Sequence, residues 1–124
     1  MSDRRPGGGP GTVALVVEQL RRTVPGGIGT YCLGLLGGLR QVAQAGAAVP
    51  GVELVASRSP SSPDPLASEG WMLRVSKLPG PLLTRAWDRG LVDVDRHADV
   101  VHALSLAAPP ARHRPLVVTV HDLA

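Results

Sequence analysis

Five short apolar runs constrain this chain more than any other feature of its sequence. Val13-Ala14-Leu15-Val16-Val17 is continuous rather than alternating, which suits a strand covered on both faces, as in a parallel sheet. Val52–Ala56, Trp71–Val75, Asp99–Leu104 and Leu116–Val120 are four further strand candidates. Between the first two, apolar residues fall at Ile28, Tyr31, Cys32, Leu35, Leu36, Leu39, Val42 and Ala43. Those steps of three and four mark one face of a helix, with Gly46 well placed to cap it. Pro79 and Pro81 precede a second helix, from Leu82 to about Val92. Strands alternating with helices or long crossovers imply an α/β fold, a Rossmann-like, doubly wound parallel sheet.

The remaining segments divide the chain. Residues 1–11 form a glycine-rich, flexible tail, and residues 12–124 a single domain. Residues 57–70, rich in Ser and Pro and without periodicity, read as a mobile loop. Gly34, Gly37 and Gly38 inside the first helix each cost roughly 1 kcal/mol relative to Ala. They either allow close packing on the sheet or reflect composition bias. After the fifth strand only His121-Asp122-Leu123-Ala124 follow, where a complete domain would continue with a covering helix. The chain therefore reads as cut short.

Composition narrows the function. Thirteen basic residues against ten acidic ones leave a net charge of +3, but twelve of the thirteen are arginine, scattered singly or in pairs. Phe is absent, and 15 Gly and 12 Pro accompany the arginines, the pattern of a GC-biased coding sequence. Three aromatic residues, Tyr31, Trp71 and Trp87, provide no stacking platform, so nucleic acid is not an expected partner. Apolar stretches reach only about six residues, against the roughly 18–20 of a membrane span. No small-residue cleavage site follows the N-terminal segment, and Cys32 alone makes neither a disulfide nor a cysteine zinc site. The expected location is the cytoplasm, with peripheral membrane contact still open.

Two constellations carry candidate chemistry. Gly26-Gly27-Ile28-Gly29 lies between the first strand and the first helix, where backbone N–H groups free of Cβ atoms can approach a phosphate. An ordinary glycine turn is the plainer reading. A dinucleotide fingerprint fails, because Cys32 stands where the third glycine belongs, and a P-loop fails because the one lysine, Lys77, is elsewhere. His121 and Asp122 follow the fifth strand and so point toward the crevice beyond the sheet. Neutral imidazole can donate to a sugar hydroxyl, with Asp122 orienting it or binding a hydroxyl itself. The alternative is a helix N-cap role for Asp122 beside an exposed His121.

Other residues carry less. Asp93-Val94-Asp95 reads as a solvated surface pair near a helix end rather than a metal-holding D-x-D. His97, His102, His113 and His121 lack metal-ligand spacing, and His102 reads as a core or supporting histidine. With no G-x-S-x-G and Cys32 on the apolar helix face, nucleophilic catalysis has no support.

Three segments in order complete the reading: Val13–Val17 with Pro25-Gly26-Gly27-Ile28-Gly29-Thr30-Tyr31, then Asp99–Ala103, then Pro115–Leu123. Together they resemble the N-terminal domain of family 4 glycosyltransferases, retaining enzymes of the GT-B fold. The resemblance covers most of the chain beyond the tail and the Ser/Pro-rich loop. It implies transfer of a sugar, hexosyl or mannosyl, from a nucleotide-sugar donor to a sugar, lipid or small-molecule acceptor. By that resemblance Gly26, Gly27 and Gly29 approach the donor phosphates, and His121, with Asp122, acts near the reacting sugar. No metal is expected, in keeping with the GT-B habit. The nucleotide-binding C-terminal domain of the family is absent, so the expected state is an incomplete half that is inactive alone. Two alternatives stay open: a stand-alone Rossmann-like module for a small phosphorylated ligand, and a non-catalytic association domain using an open sheet edge.

Overall fold

In a computed structural model, residues 11–24, 26–92, 97–110 and 112–121 are described. Five strands and two α-helices follow in the order β1 (Thr12–Val16), α1 (Gly26–Gln44), β2 (Gly51–Ala56), β3 (Met72–Val75), α2 (Gly80–Asp88), β4 (Val100–Ala103) and β5 (Leu116–Val118). All strand pairs are parallel, and the sheet order is β3-β2-β1-β4-β5. The chain winds outward from β1 to β3, then returns to the other side of β1 for β4 and β5. The order therefore reverses beside β1, where an open parallel sheet leaves a crevice at its carboxyl edge.

Strand β1 shows why its run is apolar throughout. Its side chains alternate between faces. Ala14 and Val16 pack with Leu83 and Trp87 of α2, and with Val55, Val101 and Ala103. Leu15 and, just beyond the strand, Val17 pack instead with Cys32 and Leu36 of α1, and with Leu54 and Ala56. One helix covers each face, so both sets of alternating residues are buried. Burial raises the pKa of the Cys32 thiol, which is wholly inside this packing.

Both helices stop at glycines in the left-handed region. Gly46 has φ +91°, and Ala47 N–H donates to Val42 O at 3.0 Å while Gly46 N–H donates to Ala43 O at 3.1 Å. This is a Schellman cap. Gly90, at φ +65°, repeats it: Leu91 N–H reaches Ala86 O and Gly90 N–H reaches Trp87 O, both at 2.9 Å. The second helix thus ends at Asp88, short of the expected Val92, because Gly90 closes it.

Three further expectations need correction. The first helix starts at Gly26 rather than Ile28, so the glycines form its opening turn. Its apolar face is narrower than the periodicity suggests, since Tyr31, Val42 and Ala43 are exposed. The Ser/Pro-rich segment is anchored rather than structureless. Pro65–Glu69 forms a 3-10 turn whose cap, Asp64, accepts the Leu66 N–H at 3.0 Å, and Leu66 is buried against the α1 side of the sheet. The N-terminal residues 1–10 and the Asp93-Val94-Asp95 pair lie outside the described residues. No helix among the described residues is long and apolar enough to cross a membrane.

The structure also separates the two readings of the helix glycines. Gly34, Gly37 and Gly38 are exposed, and a Cβ at any of them meets nothing within 4 Å. They serve no close packing among the described residues. Replacing all three with Ala is expected to raise stability by about 0.4–1 kcal/mol per site, through helix propensity and a less flexible unfolded chain. Urea denaturation reads the change, and a lower midpoint for the triple variant contradicts it.

Candidate functional site

The carboxyl edge of the sheet is organised around one buried acid. The apolar run of β1 gives way to Val17 and then Glu18, which opens a 3-10 turn, Glu18–Arg21. Glu18 is only 6% exposed. A carboxylate taken out of water needs hydrogen-bond donors, and Ser57, just beyond β2, supplies two. Its N–H and its hydroxyl each donate to Glu18 at 2.7 Å. Glu18 thereby ties the end of β1 to the end of β2.

Glu18 also meets the start of α2. A Cβ on Gly80 would stand 2.8 Å from Glu18 Oε2, so no larger residue fits there without a shift. The carboxylate occupies the positive end of this helix, where a negative charge is favoured. Arg21 completes the junction. Its Nε donates to Ser57 O at 2.9 Å, and its two terminal nitrogens fork onto Asp64. This bidentate pair is the strong form of an Arg–carboxylate contact. Hydrogen bonding from Arg21 lowers the Asp64 pKa below the ordinary carboxylate value.

A cleft of about 750 Å³ opens above this junction. The 3-10 turn contributes Glu18, Arg21 and Arg22, the segment after β2 contributes Ser57 and Arg58, and α2 contributes Thr84 and Arg85. None of these was singled out as a candidate site residue from sequence. By sequence Glu18 only ends the apolar run Val13–Val17, and the arginines read as composition bias. The available signal was positional: Arg21, Arg22 and Arg58 all lie in the segments that leave the carboxyl ends of β1 and β2.

The sequence-derived candidates lie on the other side of the same turn. Gly26 and Gly27 are exposed at the N-terminus of α1, and a Cβ on either meets nothing within 4 Å. Gly26 has φ +67°, a conformation most residues avoid. Gly29 is buried. His121 follows β5 and stands edge-on to Tyr31 of α1, with ring centroids 4.9 Å apart. The first turns of α1 and the imidazole therefore adjoin. Asp122 lies outside the described residues.

The hydrogen bonding of His121 fixes the tautomer of its neutral ring. Nε2 lies 2.9 Å from Leu104 O, at the end of β4. A carbonyl only accepts, so Nε2 carries the hydrogen. In the neutral ring Nδ1 is then left as an acceptor. His102 behaves as a supporting residue, with Nε2 at 2.8 Å from Thr119 Oγ1 across β4 and β5. Among the described residues no three His, Cys, Asp or Glu side chains converge as a metal-holding group.

No protein-family model, curated protein or solved structure matches this chain.

Desolvation lowers the pKa of His102 below the ordinary histidine value of 6.5. The unfolded chain therefore takes up the proton first as pH falls. The stability tied to the neutral ring is complete above about pH 6.5 and is lost as pH drops toward the folded value. Urea midpoints measured at about pH 7.5 and about pH 5.5 are expected to differ less in His102→Gln than in the parent. Equal differences contradict the assignment.

Proposed function

We propose that this chain is the acceptor-side, N-terminal domain of a retaining glycosyltransferase of the GT-B type, acting on a nucleotide-sugar donor. The observation that carries the reading is the adjacency of an open, glycine-led helix start and His121 at the carboxyl edge of a parallel sheet. The strand order β3-β2-β1-β4-β5 supports a Rossmann-like assignment, since it reverses beside β1 as in doubly wound nucleotide-binding sheets.

The chemistry follows from the parts. Free N–H groups at the start of α1 favour a phosphate, and Gly26 and Gly27 leave the approach clear of side chains. Charge developing on the departing phosphate is stabilised by these fixed donors. Gly29, inside the first turn, keeps that turn close to the sheet and acts on the phosphate only through its backbone. His121, held by Leu104 O, presents Nδ1 as the acceptor for a hydroxyl of the transferred sugar. Asp122 keeps the role that the resemblance gives it, beside that sugar. In this reading a second domain supplies the nucleotide contacts and closes over the reactants, excluding water. The reaction as proposed uses no metal, and its setting is the cytoplasm.

Titration calorimetry with UDP-glucose and GDP-mannose tests the reading. Gly27→Val places a branched side chain in the open space over the helix amides, where it meets no protein atom. The nucleotide sugar that binds the parent is expected to bind this variant at least about tenfold more weakly, with the melting temperature little changed. Unchanged affinity in the variant contradicts the donor-phosphate role of the α1 start.

A further inference from the structure

The cleft above Glu18 has an electrostatic character that the transferase reading does not use. Four guanidiniums, from Arg21, Arg22, Arg58 and Arg85, line it together with two carboxylates, from Glu18 and Asp88. With Arg21 neutralised by Asp64, three guanidiniums against two carboxylates leave one positive charge in excess. The partners are unevenly distributed. Arg21 is committed to Asp64, with Nη2 at 2.6 Å from Oδ2, and Glu18 is committed to Ser57. Among the described residues the side chains of Arg22, Arg58 and Arg85 make no hydrogen bond or ion pair. Three forked donors thus line one cavity without a partner among the described residues.

From this arrangement we infer that the cleft binds a small molecule bearing a phosphomonoester, of the size and hydroxyl content of a sugar or polyol phosphate. A phosphomonoester carries about −1.5 to −2 at pH 7 and presents three acceptor oxygens, enough to engage three guanidiniums, whereas a carboxylate has only two oxygens to offer. Guanidinium forks suit phosphate oxygens in pairs. The volume of about 750 Å³ lies within the range of small-molecule sites, roughly 300–1,000 Å³, and is far larger than a bare phosphate ion.

The acidic floor selects for hydroxyl groups. Each Glu18 oxygen accepts one hydrogen from Ser57 and retains a second lone pair. A ligand hydroxyl pointing down into the cleft finds that acceptor, while a second anionic group there is repelled. The arginines, and not the start of α2, hold the phosphate, because Glu18 already occupies the positive end of that helix. This site is separate from the α1 start and stands without the transferase reading. Where that reading holds, it makes the acceptor a phosphorylated polyol.

Calorimetry with glucose 6-phosphate, inorganic phosphate and glucose tests the inference. Glucose 6-phosphate has no nucleotide, so its binding reports on this cleft whatever nucleotide sugars do. It is expected to bind saturably and more tightly than phosphate, with glucose weakest, and to weaken as salt rises. Arg58→Ala and Arg85→Ala, both at exposed side chains, are each expected to lower the affinity at least about tenfold without lowering the melting temperature. Arg89→Ala removes the same charge just after α2, outside the cleft, and is expected to change little. No saturable binding of glucose 6-phosphate to the parent overturns the inference. So does equal weakening by Arg89→Ala, or indifference to Arg58→Ala and Arg85→Ala.

Discussion

The geometry of the carboxyl edge depends on the hydrogen bonds between Glu18 and Ser57. A carboxylate with so little exposure is expensive to bury, and it is tolerated because Ser57 gives it two donors at 2.7 Å. Those bonds do more than satisfy a charge. They fix the residue after β1 against the residue after β2, while Gly80 lets α2 begin within contact distance of the same group. Arg21 then reaches across Ser57 to Asp64 and anchors the long segment that follows β2. Removing the carboxylate would leave the Ser57 donors unpaired and release three segments at once.

From that junction the edge divides into two regions on opposite faces of the sheet. On the α2 side, arginines line a cleft, three of them without a partner among the described residues. On the α1 side, an unobstructed helix start adjoins an imidazole. The two are joined by the turn that begins at Glu18. A doubly wound sheet offers this division naturally, since the crossovers on either side of β1 leave in opposite directions. Under the proposed function the division separates donor phosphates from acceptor, with the reacting sugar between them. The rigidity of the Glu18 junction would then hold the two at a fixed spacing.

The sheet was legible in the sequence because burial on both faces leaves a continuous apolar run, as in Val13–Val17, and because Gly46 announces a helix end. Errors arose where a single residue outweighs the pattern. Gly90 ended α2 before its apolar residues ran out, and Asp64 with Pro65 and Leu66 built a turn inside a segment whose composition suggests none. The position of His121 was legible from its place after the fifth strand, although the carbonyl that sets its tautomer belongs to Leu104, distant in sequence. The cleft was not legible. Arg21, Arg58 and Arg85 are spread along the chain and converge only because β1 and β2 pair and α2 begins beside them. Glu18 resembled an ordinary polar break, since nothing local identifies Ser57 as its partner.

The central claim is that binding resides at this carboxyl edge, in two separate places. Amide chemical-shift mapping of the labelled protein measures it most directly, with a nucleotide sugar and glucose 6-phosphate added in turn. The account predicts two resolved sets of shifted amides. The nucleotide sugar should move Gly26, Gly27, Gly29 and His121, and the sugar phosphate should move Arg22, Ser57, Arg58 and Arg85. Shifts concentrated at the opposite edge, around Gly51 and Leu116, or a single set common to both ligands, would contradict it.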